Sequence, residues 1–213
     1  MTFQKICKEL IIILLTALPI IYLLVNWSVL PDRLPVHFDG NGETNGYGSK
    51  LVFIFLPLGL YLLLIVVPFI DPRKSNYVLF SSTYFKIRII LSAFLGLLNT
   101  VVIYNELHGI SKIGSFVPIS VFILFTLLGI YMGNISPNYF VGIKVPWTLN
   151  NDEVWIRTHK LAGKLWFWGG ILGIVSLFFV KNAALVMFPV IIVITVVPIV
   201  YSYIIYQKIA NQL

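Results

Sequence analysis

The sequence predicts an all-α membrane protein of six transmembrane helices, with a compact outer loop after the first helix and an amphipathic inner segment before the fifth. Three observations predict it. The mean hydropathy is +0.94 and 59% of the residues are apolar, which excludes an ordinary soluble domain. Six apolar runs reach the roughly 20 helical residues that cross about 30 Å of hydrocarbon. The basic residues are divided unequally among the loops between those runs, as the positive-inside rule requires of a multi-pass chain.

The first run, residues 10–30, follows a basic start with Lys5 and Lys8 but ends without a small-residue cleavage site. It therefore reads as an uncleaved signal anchor. Cys7, the one cysteine, has no partner for an internal disulfide and reads as a reduced cytosolic thiol. The other spans fall at 51–70, 87–106, 115–133, 161–180 and 183–206. With the N-terminus in the cytoplasm, eleven basic residues lie inside: Lys5, Lys8, Arg73, Lys74, Lys86, Arg88, Lys144, Arg157, Lys160, Lys164 and Lys208. Four lie outside: Arg33, Lys50, Lys112 and Lys181. Both termini are expected in the cytoplasm of a cell membrane. The net charge of +7 is thereby accounted for by membrane lipids as partners, without direct contact to nucleic acid.

The outer loop 31–50 is rich in glycine, asparagine and aspartate, residues that form turns, and is expected to be ordered. The inner loop 71–86 mixes Arg73, Lys74 and Lys86 with Tyr77, Phe80, Tyr84 and Phe85, a composition suited to the headgroup layer. Small residues recur at helical spacing as Ser92, Gly96 and Thr100, as Gly129 and Gly133, and as Gly169 and Gly173. Such stripes let helix backbones approach closely and read as packing faces. Pro189 and Pro198 interrupt the last span and should bend it.

The central halves of the six spans hold no Asp, Glu, Lys, Arg or His. A coupled transporter needs such groups where its substrate passes, which argues against that class. Asn99 is the most central strong hydrogen-bonding side chain, and is expected to bond a neighbouring helix. No zinc-protease, nucleophile-elbow or phosphate-loop motif is present, so no catalytic residue, cofactor or metal is assigned and the chain reads as a non-enzyme. His37, Asp39 and Glu43 share the outer loop but lack the scaffold of a metal site.

The longest polar interval is 138–164, NYFVGIKVPWTLNNDEVWIRTHKLAGK. Gly142 and Pro146 favour a turn, Trp147 suits headgroup depth, and Asn150 with Glu153 offers a helix start. At about 100° per residue, Trp155, His159, Ala162 and Trp166 share one helical face, opposite Arg157, Lys160 and Lys164. This amphipathic entry is compatible with a membrane-edge helix or with a docking face.

The pattern N-x-x-x-G-I-x-x-P-W-T-L, then V-W, then T-H-K-x-x-G-K resembles the SdpI-type bacterial immunity family. It is carried by Asn138, Gly142, Ile143, Pro146, Trp147, Thr148, Leu149, Val154, Trp155, Thr158, His159, Gly163 and Lys164. In the outer loop, Pro35, His37, Phe38, Gly42, Tyr47, Gly48, Ser49 and Lys50 resemble a small membrane domain of unknown function found N-terminal to that module. The resemblance implies three parts: a two-helix domain over 1–70, a linker and third helix over 71–114, and the SdpI-type module over 115–213. It further implies protection against a secreted antimicrobial peptide or protein toxin, with a transcriptional repressor held at the membrane in some members. Toxin-binding candidates are His37, Phe38, Asp39, Tyr47 and Lys50, because the other outer loops are very short. Inner docking candidates are Asn138, Gly142, Pro146, Trp147, Thr148, Trp155, Arg157, His159 and Lys160. The competing reading is a transporter or enzyme for a lipid-phase or anionic substrate, with Arg157 and Lys160 matching an anionic headgroup.

Overall fold

The computed structural model describes residues 3–110, 113 and 116–211. Lys112 and the Ser115 start of the expected fourth span lie outside the described residues. Among the described residues, four helices are long and apolar enough to cross a membrane: α1 (Phe3–Val25), whose apolar part runs Ile6–Val25, α2 (Val52–Ile70), α4 (Ser81–Leu107) and α8 (Ala184–Ala210). Apolar α5 (Phe116–Met132) is shorter, at 17 residues. The expected fifth span does not begin afresh at 161; it continues the amphipathic segment as one 26-residue helix, α7 (Asp152–Leu177). Short helices α3 (Asn76–Leu79) and α6 (Pro146–Asn150) lie in the connections.

The expectation of an all-α protein is corrected by the outer loop, which forms a two-stranded antiparallel sheet, β1 (Arg33–Phe38) and β2 (Thr44–Ser49). Its turn is set by Asp39, whose Oδ1 accepts from the Asn41 and Glu43 amides at 2.8 and 2.9 Å, and by Gly42 at φ +77°. Glycines at 46 and 48 leave room for the facing strand, since a Cβ at either would sit 2.9 Å from His37 or Val36.

Helices α1, α2 and α4 pack together, as do α5, α7 and α8, and α4 joins the two groups through α5. The small-residue stripes lie at these crossings. A Cβ at Gly96 would meet the Leu15 carbonyl of α1 at 2.6 Å, and one at Gly129 the Phe167 amide of α7 at 2.5 Å. Gly170 and Gly173 of α7 make the same close approach to Thr126 and Phe122 of α5.

Proline inside an apolar helix removes an amide and leaves the carbonyl four residues earlier unbonded, which is costly in hydrocarbon. Neighbouring helices answer three of these carbonyls. Asn99 Nδ2 of α4 donates to the Phe53 carbonyl freed by Pro57, at 3.0 Å, which is the helix-to-helix bond expected of Asn99. The Tyr84 hydroxyl donates to the Leu64 carbonyl freed by Pro68, at 2.6 Å. Trp166 Nε1 of α7 donates to the Ile194 carbonyl freed by Pro198, at 3.1 Å.

Two apolar clusters mark the ends of the bundle. One gathers Leu23, Leu30, Leu34, Phe53, Val102 and Ile103 beneath the hairpin. The other gathers Val67, Tyr77, Phe80, Tyr84, Ile135 and Trp155 at the inner connections. Tyr77, Phe80 and Tyr84 are therefore core residues, contrary to the expected headgroup setting. Their rings meet one another at 5.0–6.0 Å, and the Tyr77 and Tyr84 hydroxyls reach partners that only the folded chain supplies.

Candidate functional site

The polar segment before α7 folds back over that helix and is tied to it at fixed points. Asn151, rather than the expected Asn150, caps α7, its Oδ1 accepting from the Glu153 and Val154 amides at 2.9 and 3.0 Å. Pro146 opens α6 at a position that needs no amide. The Thr148 hydroxyl, fully buried, accepts from the Val145 amide at 3.1 Å and donates to the Ile143 carbonyl at 2.8 Å. Trp147 reaches across to α8, where its Nε1 donates to Ser202 Oγ at 2.6 Å.

His159 is the centre of this knot. Its Nδ1 donates to the Trp155 carbonyl at 2.8 Å and its Nε2 accepts from the Ile143 amide at 2.9 Å, so one neutral tautomer satisfies both. The ring stacks on Trp155 at 4.0 Å, and Trp155 Nε1 donates to the Ile135 carbonyl at 2.8 Å. Burial holds the imidazole well below its ordinary range, at about 4, against the opposing pull of the Trp155 carbonyl. Gly142 passes directly over the ring with φ +117°, and a Cβ there would stand 2.3 Å from Nε2.

Trp155 and His159 are both fully buried, so the expected docking face is corrected: neither presents a surface to a partner. The reason is the loop 134–145, which covers that face of α7 with its own backbone groups. Arg157, Lys160 and Lys164 are exposed, as their opposite face requires. Arg157 pairs with Glu153 one turn earlier at 2.5 Å. Asn138 is also fully buried; its Oδ1 accepts from the Phe140 and Val141 amides and its Nδ2 donates to the Ser136 and Val141 carbonyls.

A second set of residues, from the connection after α2, completes the knot. Asp71 is buried and accepts from the Arg73 and Tyr139 amides and the Tyr77 hydroxyl, at 2.7–3.1 Å. Burial, with the Asp71 charge adding to it, pushes the Tyr77 phenol up, so that it remains a donor. Arg73 pairs with Asp152 at 2.8 Å and donates to the Leu149 carbonyl at 2.7 Å. Asn76 Nδ2 donates to the Pro137 carbonyl at 2.7 Å. Sequence reasoning missed Asp71, Arg73 and Asn76 as site residues because their partners lie more than sixty positions away. The one signal was an aspartate directly after an apolar span.

Part of this knot, from residue 134 onward, lies in a stretch that matches known proteins. Residues 134–202 match the SdpI/YfhL protein family. The N-terminal residues 14–61 match a domain of unknown function, DUF1648. The immunity protein SdpI of Bacillus subtilis (strain 168) is 23% identical over 205 residues, covering 94% of this chain and 97% of that protein. No solved structure matches the chain. The SdpI match begins after α5 and the DUF1648 match ends within α2, so α4 and α5, with the connection that holds Asp71, belong to neither.

At the opposite end, the DUF1648 match contains the hairpin. Tyr47 is exposed, as is His37, whose Nδ1 bonds the Asn45 side chain; Phe38 and Asp39 are half-buried. Lys50 differs from the other outer candidates. It is buried, donates to the Trp27 and Leu30 carbonyls at 3.2 and 3.4 Å, pairs with Asp32 at 3.1 Å and stands 4.2 Å over the Trp27 ring. These bonds clamp the end of β2 onto the chain leaving α1. The hairpin turn is also fastened to the start of α8, where the Ala183 amide donates to the Gly40 carbonyl at 2.7 Å.

Proposed function

We propose that this protein is a membrane immunity protein that protects the bacterium making it from a secreted antimicrobial peptide or protein toxin. The observation that carries this reading is end-to-end similarity to an immunity protein, 94% of one chain against 97% of the other, with the SdpI match falling on the inner knot. In this reading α5 and α7 join the four long apolar helices to make six crossings, with both termini in the cytoplasm. Toxin is met on the outer hairpin by His37, Phe38, Asp39 and Tyr47. Any repressor held at the membrane meets the exposed side of the inner segment, Arg157 and Lys160, since Trp155 and His159 are enclosed. Protection then needs recognition and no catalysis.

Deleting the gene and challenging with toxins secreted by the same strain tests this. Loss of survival, restored by the wild-type chain, is the expected outcome. Unchanged tolerance to every such toxin overturns the reading and favours a lipid-phase or anionic substrate. In the restored strain, Trp155→Ala should lower membrane abundance and survival together, because losing a buried tryptophan costs about 3–5 kcal/mol. Arg157→Ala and Lys160→Ala should leave abundance intact, and lost signalling by either would locate the docking surface.

A further inference from the structure

Two apolar cavities lie under strand β1, where the hairpin meets the helices. One, of about 200 Å³, runs between α2 and α4 and is bounded by Leu56, Leu95 and Leu98. The other, of about 380 Å³, lies against α5 and α8 and is bounded by Pro118, Met187 and Phe188. They share Val36, Phe38 and Val117, so β1 and the start of α5 wall both, between the two helix groups. Their mouths open on spanning helices. Leu56 of α2 and Phe188 of α8 line the cavities yet are 53% and 68% exposed, on flanks that a bilayer would cover. The depth is also that of hydrocarbon. Leu95 stands twelve residues before the end of α4 at Leu107, a rise of about 18 Å, and Ile191 seven residues into α8 from Ala184, about 10 Å. With about 30 Å of hydrocarbon to cross, both cavities fall in the leaflet on the hairpin side.

We propose that these cavities hold acyl chains of phospholipid from that leaflet, and that the chains form the apolar floor on which the hairpin rests. Val36 of β1 is 47% exposed although it sits over both cavities, and a chain beneath it covers apolar area that the protein itself leaves open. Walls of this kind gain dispersion contacts from any chain that fills them, whereas water finds too few partners to stay. A peptide segment fits less well, because its amides would enter hydrocarbon in need of bonds. Asn99, the polar side chain of the smaller cavity, already donates its amide to the Phe53 carbonyl. His37 and Asp39 reach the larger cavity from the hairpin turn, where His37 bonds the Asn45 side chain and Asp39 accepts from the amides of Asn41 and Glu43. An acyl chain asks nothing of these groups. The inference goes beyond the immunity reading and stands without it.

The test uses the full-length protein in nanodiscs of phosphatidylglycerol, a fraction of which carries a diazirine midway along one acyl chain. After photolysis, mass spectrometry of the digested protein locates the labels. Leu14 and Leu18 of α1, 54% and 58% exposed, give the standard for bulk lipid. We expect Val36 or Phe38 of β1 to be labelled as well. Leu98→Trp narrows the smaller cavity and Met187→Trp the larger, so the double variant should cut β1 labelling about tenfold and leave the α1 labels unchanged. Thermal melting checks that it folds. If it does not, Leu56→Trp decides, because it narrows a mouth from an exposed position and should cut β1 labelling about threefold. Label on α1 with none on β1 overturns the proposal, as does β1 labelling that the folded variants leave unchanged. Loss of the β1 label on adding a short leucine-rich peptide, with the α1 labels intact, would give the cavities to a peptide and overturn it equally.

Discussion

Gly142 and His159 constrain each other. The glycine's φ of +117° and the 2.3 Å that would separate a Cβ from Nε2 leave no room for any side chain. Gly142→Ala should therefore displace the ring, break its bond with the Ile143 amide and lower the melting temperature, as His159→Ala should. The imidazole also makes stability depend on pH with a definite sign. Its pKa in the fold, about 4, lies below the ordinary 6.5, so the unfolded chain takes up the proton first. Stability is complete above pH 6.5 and falls as pH drops toward 4. At pH 5 the loss should be about 2 kcal/mol. His159→Gln cannot be protonated, and its melting in detergent should show a shallower change between pH 7 and 5 than the wild type. Equal slopes would mean that His159 is open to water.

At the scale of elements, Pro57 and Pro68 of α2 and Pro198 of α8 are matched to donors on α4 and α7. Tyr84→Phe should leave the Leu64 carbonyl unbonded and cost about 1–3 kcal/mol. Adding Pro68→Ala restores a backbone amide to that carbonyl, so the double variant should recover part of the loss. Simple additivity in unfolding measurements would show that the hydroxyl and the proline act independently. Pro189 and Pro198, the central Asn99 and the stripe with Gly129 were all legible in the sequence, because helical periodicity and the cost of unbonded groups in lipid act locally. The pairing of each donor with its carbonyl was not, since it depends on which helices adjoin. The same limit concealed the role of the 71–80 connection. Basic and aromatic residues at a membrane edge suit headgroups equally well, and only the approach of Asp71 and Tyr77 to Tyr139 and Asn138 turns them inward. Likewise, the amphipathic wheel separated Trp155 and His159 from Arg157 and Lys160 correctly, but periodicity cannot say whether a buried face meets a partner or the chain's own loop.

Over the whole molecule, the hairpin and the inner knot are held at opposite ends by two independent runs of helix. Nineteen residues of α2 separate the clamp at Lys50 from Asp71, a rise of about 28 Å. The 26 residues of α7 separate Asn151 from the connection that bonds the hairpin turn through Ala183, a rise of about 39 Å. Both lengths suit a bilayer, so whichever side holds the hairpin, the knot belongs on the other. The charge distribution then chooses the direction. With the six-span reading of the sequence, eleven basic residues go with the knot and four with the hairpin, so the positive-inside rule predicts the knot in the cytoplasm. Reporters fused after Gly42 and after Asn151 should accordingly report opposite sides, with Gly42 external. Both sites on one side would break the bundle geometry itself. A cytoplasmic Gly42 with an external Asn151 would preserve that geometry but invert the charge rule, and would turn the hairpin away from any secreted ligand.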